Sequence, residues 1–395
     1  MRGTIQKKGK QYYAVVYDGV DPGTGKKRRR WVPAGTRRDD AERVLSDLIR
    51  RKYEGEPVPT EKLTVAEYLT QRWLPIQKAR VRPSTYDSYR RNIELHVAPG
   101  LGRRPLDRLT PEDVDLFYAT LLTEGRKQNE GDRGAGLAPK TVRNIHLMLN
   151  KAMADAARKG IVPRNVVALA DAPTVKGRRQ GEIKAWDATQ LRVFLDAIRS
   201  HRLHPAFHLA AHTGMRRGEV LGLRWSDVDL DGSRLSVRQA LVSIAYDVQI
   251  SDVKTGTGRR TIDLDPGTVD VIKAWRIERA EEKGGIEPSG EDLVFAKPEG
   301  SSIHPHSFSQ ILDRKVAQLD VPKISLHDLR HTHATLLLKA GVPVKVVSER
   351  LGHANVAFTM SVYQHVLPGM QAEAALTFAQ LLTRSEPERD LRNDV

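Results

Sequence analysis

None of the 395 residues is cysteine. That excludes disulfides and thiolate metal sites outright, and it fits a reducing cytoplasm. No apolar run approaches the roughly 18 residues a membrane-spanning helix needs. The opening MRGTIQKKGKQYY lacks the apolar stretch of a secretory signal. A soluble, cytoplasmic chain with no membrane partner is expected. There is no G-x-x-x-x-G-K-S/T loop to cradle a nucleotide phosphate, no H-E-x-x-H, and no cluster of carboxylates suited to magnesium. No cofactor and no metal are expected, and no internal repeat is visible.

What is present is charge, and it is sorted. The formal net charge is +15, which points to a polyanionic partner. Residues 1–60 carry 15 cations against 8 carboxylates, residues 61–179 carry 22 against 13, and residues 180–395 carry 27 against 28. The front half therefore holds the whole excess. With 39% apolar and 29% charged residues, the chain can build real cores and is not disordered throughout.

At roughly 100–200 residues per domain, two to four domains are expected. The expected fold class is mainly α with small β elements, in several domains. In residues 1–56, GTIQKKGK, QYYAVVYD and KKRRRWVPAG read as three strands. TRRDDAERVLSDLIRRKYEG reads as a helix, with Thr36 as cap and an apolar stripe of Ala41, Val44, Leu45 and Leu48. A three-stranded sheet backed by one helix can present Lys26, Lys27, Arg28, Arg29 and Arg30 to a DNA groove. The rival reading is an edge strand made basic against aggregation.

PVPTEK (57–62) reads as a linker. Residues 63–172 then show four helical patterns, with Thr64, Ser84 and Thr110 as caps and Pro111 in a first turn. Arg80, Arg82, Arg90, Arg91, Lys140 and Arg143 lie near helix starts and polar faces, where phosphates bind. PTVKGRRQGEIKAW (173–186) is a second linker. A third block runs over 183–382, mainly helical, with a β excursion at SRLSVRQALVS, YDVQISDVKTGTGRRTIDL and LVFAKPEG. Residues 383–395 are rich in charge and read as a disordered tail.

Four motifs in that block carry chemistry. In HTGMRRGEVLGLRWSDVDL (212–230), Arg216 stands at a helix start, where a guanidinium and the helix N-terminus can both bind a phosphate. SDVKTGTGRRTIDL (251–264) reads as a tight hairpin with Lys254 just before its turn. In SLHDLRHTHATLLLKAG (325–341), Ser325 opens a helix and His327 and Arg330 share a face one turn apart. The neighbouring His331 and His333 raise a metal reading, but no carboxylate or further histidine is in register for it. In VVSERLGHANVAFTMSVYQHV (346–366), His353 follows a helix end and Tyr363 lies in a second short helix. Singly, each reads as a surface arginine, a hairpin lysine or a core tyrosine.

Together, T-G-x-R-x-x-E, L-x-W-x-D-V-D, L-H-D-L-R-H-T, L-G-H and Y-x-H resemble the tyrosine recombinase family of phage and mobile-element integrases. The resemblance implies a mixed α/β catalytic domain over 183–382, a helical core-binding (SAM-like) DNA-binding domain over 63–172 and an arm-type DNA-binding domain over 1–56. It implies that Tyr363 attacks a backbone phosphate, leaving a 3′-phosphotyrosine and a free 5′-hydroxyl. Arg216 and Arg330 would clamp the non-bridging oxygens. Lys254 would protonate the departing 5′ oxygen, and His327 would assist proton transfer at the tyrosine. His353 would hydrogen-bond the phosphate and Glu219 would support the set. The bond energy stays in the covalent link, so neither ATP nor metal is required. The implied partners are double-stranded DNA at attachment sites, three further copies in a homotetramer on DNA, a directionality factor and a DNA-bending host protein. The helix 370–382 would dock on a neighbour or on its own domain. A type IB topoisomerase, a non-enzymatic DNA-binding regulator and a metal-dependent nuclease or phosphatase are the rivals.

Overall fold

The computed structural model describes residues 3–20, 27–53, 63–126, 135–174, 184–252, 258–353, 355–363, 375–376 and 378–380. The chain divides into two compact units, 1–175 and 176–395. In the first, β1 (Thr4–Lys8), β2 (Gln11–Val20) and β3 (Lys27–Pro33) form an antiparallel sheet in chain order, with Ile5 opposite Ala14 and Ala14 opposite Val32. Directly opposed residues share a face, and α1 (Arg38–Tyr53) covers this one. Ala14, Val16, Ala34, Ala41 and Leu48 are buried there with Val44 and Leu45 beside them, so the stripe read from the sequence is the packed one. Thr36 is not the cap, because the helix opens only at Arg38. On the other face Trp31 is 38% exposed, and the Lys8 ammonium sits 4.4 Å from its ring centre. Of the basic run, Arg29 is exposed, Lys27, Arg28 and Arg30 lie on β3, and Lys26 falls outside the described residues.

The remainder of this unit is helical. α2 (Val65–Glu67) and α3 (Leu74–Gln77) are joined through a π-helical stretch, Tyr68–Trp73. α4 (Pro83–Asn92) runs through a second one, Ile93–Val97, into α5 (Ala98–Leu101). α6 (Pro111–Glu124) and α7 (Pro139–Arg158) complete the set. Thr64 and Thr110 cap as expected, each exchanging hydrogen bonds with an acidic residue three positions on, Glu67 and Asp113. Ser84 does not cap: Pro83 takes the first helical position, for which its fixed φ suits it, and Arg82 occupies the cap. The core gathers Tyr68, Trp73, Ile93, Val97, Val114, Tyr118 and Ile145, and the Trp73 indole N–H donates to Asp155 at 2.9 Å. Arg80, Arg82, Arg91, Lys140 and Arg143 are exposed. Arg90 is held by Asp87 and Glu94 at 2.7 Å each, so its charge is largely neutralised within its own helix.

The second unit contains α8 (Ala188–Ala197), α9 (His204–Thr213), α10 (Arg217–Leu221), α11 (Pro266–Glu282), α12 (Pro305–Val316), α13 (Leu326–Lys339), α14 (Val344–Leu351) and α15 (Val356–Tyr363). Trp186 is buried against Phe194, with its indole N–H donating to the Pro322 carbonyl at 2.8 Å. The linker read through 186 therefore ends before that residue. The strands are β4 (Val228–Asp229), β5 (Arg234–Val237), β6 (Gln239–Ile244), β7 (Asp247–Asp252) and β8 (Arg260–Asp263). They pair as β4–β5–β8 and β6–β7. Among the described residues the two sides of the expected 251–264 hairpin do not pair with each other, since β7 returns on β6 and β8 pairs with β5, and its turn, residues 253–257, lies outside them. The LVFAKPEG segment contributes only isolated bridges, Leu293 to Arg224 and Ala296 to Ser302. Among the described residues no helix is long and apolar enough to cross a membrane. Of the expected helix 370–382, residues 375–376 and 378–380 are described, and 383–395 lie outside.

Candidate active site

α9 ends on Gly214, whose φ of +64° turns the chain sharply into α10. A Cβ there would also lie 2.7 Å from Leu351 and 2.8 Å from His333, so conformation and space both require glycine. The turn delivers two groups. Its carbonyl accepts from Arg330 Nη1 at 2.9 Å, and two residues later Arg216 takes the cap of α10. Arg330 comes from α13, which Ser325 and Asp328 cap reciprocally as the sequence suggests. It is 3% exposed, and its Nη2 finds no acceptor among the described residues. Burial, then the charges of Arg216 and Arg260, push its guanidinium down to about 9. It remains a cation at neutral pH, and a nearby anion would stabilise it.

Glu219, 3% exposed, ties three segments together. It accepts from the Arg216 backbone N–H and Nη1, each at 2.8 Å. From β8, Arg260 Nη2 donates to it at 2.8 Å and Nη1 at 3.3 Å. Burial alone would raise its pKa, but the hydrogen bonds and charges of Arg260 and Arg216 hold it below the ordinary carboxylate value. Arg260 Nε donates to the Arg350 carbonyl at 2.8 Å, and Arg216 Nη2 reaches the Gly352 carbonyl at 3.4 Å. Both arginines therefore brace the L-G-H segment. Replacing Arg260 with alanine is expected to cost about 3 kcal/mol in urea unfolding, the low end for a broken buried pair because Arg216 remains. Adding Glu219→Leu should recover part of that loss, and no recovery would mean the pair is not what was lost.

His333 and Arg350 lock the same corner from behind. His333 Nδ1–H donates to the Ala211 carbonyl at 2.9 Å, so its Nε2 is the acceptor for Arg350 Nε at 3.2 Å. Burial, then the Arg350 charge, lower His333 to about 3. Burial and the nearby Arg330 lower His353 to about 4, and burial with His212 does the same for His208. The unfolded chain therefore binds protons that the folded chain refuses, below the ordinary histidine value. Stability should fall as pH drops from about 6.5 toward 4. The thermal midpoint measured from pH 7 to pH 4 should decline less steeply in His333→Gln; an unchanged slope would remove His333 from the account.

Tyr363 ends α15 and packs against Ala334, Leu338, Val347 and Leu351 at 1% exposure. Burial raises its phenol to about 12, against the pull of Arg330. Its hydroxyl meets His331 Nδ1 at 2.7 Å. The sequence reading sets His327 at the tyrosine; the partner found here is His331, one residue beyond Arg330. His327 is exposed, with its ring edge-to-face against His331 at 4.9 Å. His353 follows Gly352, and its Nδ1 lies 2.7 Å from the buried Thr359 hydroxyl.

The structure thus gathers Arg216, Glu219, Arg330, His353 and Tyr363. Lys254 lies outside the described residues. Sequence reasoning missed His331, Arg260, Arg350 and His333 as parts of the site. For Arg260 the usable signal was the double cation Arg259–Arg260 at the start of a strand. A hollow of about 570 Å³ lined by Arg192, Arg199, His204, His208 and His212 among others shares no residue with this cluster.

A buried phenol beside an imidazole, with a buried Arg330 that has an N–H edge to offer and Arg216 held by Glu219, is the equipment of covalent phosphoryl transfer. The phage integrase family model matches residues 184–369, and that of the phage integrase N-terminal SAM-like domain matches 64–122. A XerC-like tyrosine recombinase of Caldanaerobacter subterraneus is 25% identical over 95% of this chain and 97% of its own. The ICEBs1 integrase of Bacillus subtilis is 26% identical over 94% and 98%. In fold, the chain is similar to a lambda integrase tetramer bound to a Holliday junction. The TM-score is 0.57 at 20% identity, covering 89% of this chain and 92% of that one. The chain belongs to the phage integrase family of tyrosine recombinases.

Proposed function

We propose that this chain cuts and rejoins duplex DNA at specific attachment sites through a covalent link to Tyr363, and so integrates or excises a mobile element. The observation that carries the reading is the Tyr363 hydroxyl set against His331, within electrostatic reach of a buried Arg330 that has an N–H edge to offer. Arg330 and Arg216 hold the non-bridging oxygens and stabilise the charge that grows on them. Glu219 keeps Arg216 in register. His353, oriented by Thr359, adds a hydrogen bond to the phosphate. Lys254 supplies the proton to the departing 5′ oxygen. A 3′-phosphotyrosine conserves the energy of the broken bond, so the reverse attack by a 5′-hydroxyl rejoins DNA without ATP.

Residues 1–56 read arm sites, 63–172 grip the core site, and 183–382 perform the chemistry. Exchange between two duplexes requires four strands to be cut, one active site for each. A homotetramer on DNA follows, in keeping with the lambda integrase assembly. A directionality factor and a DNA-bending host protein would set whether the element enters or leaves.

The test is covalent trapping. The protein is incubated in EDTA with a nicked duplex taken from the DNA flanking its gene, then run on a denaturing gel. A slow protein–DNA band is expected. Tight binding of that duplex without such a band would leave a DNA-binding protein rather than a strand-exchange enzyme.

A further inference from the structure

Resting on the reading of Tyr363 as nucleophile, we propose that His331, rather than His327, takes the tyrosine's proton through Nδ1 as the phenolic oxygen attacks, and is a catalytic residue of this reaction.

On α13, positions 327, 330 and 331 stand at i, i+3 and i+4 and share one helix face. Sequence alone therefore cannot choose between the two histidines. The choice is made by α15, which sets the Tyr363 hydroxyl 2.7 Å from His331 Nδ1, a distance suited to direct proton transfer. His327 instead lies with its ring edge-to-face against His331 at 4.9 Å, where it can orient that imidazole.

The need for a base is plain, since a phenol raised to about 12 by burial is almost wholly protonated at neutral pH. For Nδ1 to accept, His331 must carry its proton on Nε2. Among the described residues, the titratable groups shown to interact with it include His327 on its own helix, Tyr363 on α15, and His353 after α14, whose charge interacts with it.

The Tyr363 oxygen forms a bond to phosphorus while the phosphorus–5′ oxygen bond breaks. The phenolic proton passes to His331 Nδ1, giving an imidazolium, and the 5′ oxygen is protonated by the general acid, Lys254 in the reading above. Rejoining runs both transfers backwards, so His331 returns its proton to Tyr363.

The experiment is single-turnover cleavage of the nicked duplex by the full-length protein across pH 5.5 to 9. It compares wild type, His331→Gln, His327→Gln and Tyr363→Phe, with folding checked by thermal midpoint. Glutamine can hydrogen-bond the hydroxyl but cannot accept its proton. His331→Gln is expected to cleave about 100-fold more slowly and to lose the acid limb of the wild-type profile, with its rate climbing steadily with pH. A second substrate carries sulfur at the bridging 5′ position, a leaving group that needs no proton. It should leave the His331→Gln defect in place, because the missing step is deprotonation of the nucleophile. His327→Gln should be slowed less and should keep the acid limb.

The proposal is overturned if His331→Gln cleaves at the wild-type rate, or is slowed with its pH profile unchanged, which is what a merely structural contact gives. Rescue by the sulfur substrate would likewise move His331 to the leaving-group side. If His331→Gln unfolds, His331→Asn is read by the same criteria. Covalent complex formed by Tyr363→Phe would instead defeat the underlying reading, whatever His331 does.

Discussion

Tyr363→Phe is expected to abolish the covalent protein–DNA complex while leaving binding of the same duplex within about twofold of wild type. The side chain contributes its ring to a cluster with Ala334, Leu338, Val347 and Leu351, and phenylalanine fills that space. The lost hydroxyl costs one hydrogen bond, to His331, worth on the order of 1 kcal/mol. Fold and DNA affinity should therefore survive. The chemistry should not, because no second tyrosine has been found on α13, α14 or α15, whose sequences contain only this one. A gel-shift and a denaturing gel run on the same samples separate the two effects. Residual covalent complex above a few per cent would mean that another nucleophile acts.

Arg330→Lys is expected to lower single-turnover cleavage by roughly 100- to 1,000-fold, the scale for removing one preorganised donor from a developing oxyanion. Charge is retained, so long-range attraction to DNA should change little. Geometry is lost. The guanidinium spends Nη1 on the Gly214 carbonyl at 2.9 Å and still has Nη2 available, a division of labour its rigid fork permits. Lysine, a single point of charge on a flexible stem, cannot hold both positions at once. The split between near-normal binding and strongly reduced cleavage is the signature to look for. Equal losses in both would assign Arg330 to DNA binding rather than to the reacting phosphate.

How much of this was legible beforehand depended on whether the signal was local. The caps at Thr64, Thr110 and Ser325 were readable because a capping box is complete within four residues. Ser84 misled because Pro83 sits beside it and sets the helix start itself. The larger error was the hairpin drawn across 251–264. Its glycines looked like a turn, whereas the hairpin that forms, β6 to β7, turns at Ala245 and Tyr246 with φ of +49° and +69°. Two-residue turns of that kind normally announce themselves with asparagine or glycine, and here they do not.

The site divides the same way. Arg216, Glu219, Arg330, His353 and Tyr363 stood out because their motifs are short and ordered along the chain. Arg260 reaches Glu219 across 41 residues of sequence and Arg350 reaches the His212 carbonyl across 138, and pairing over such separations leaves no periodic trace. His331 was visible but indistinguishable from His327 until α15 placed a hydroxyl beside one of them. Lys254 lies outside the described residues and stands on its motif alone.

In the proposed reaction a single tyrosine joins this protein to DNA, and the direct measurement is where the link forms. Trapped complex is digested with nuclease and trypsin, and the peptides are weighed. Trypsin releases residues 351–384 as one fragment, in which Tyr363 is the only tyrosine. This fragment is expected to carry a nucleotide through its phosphate, on the tyrosine. A nucleotide found on any other peptide, or on a residue of this one other than Tyr363, would contradict it.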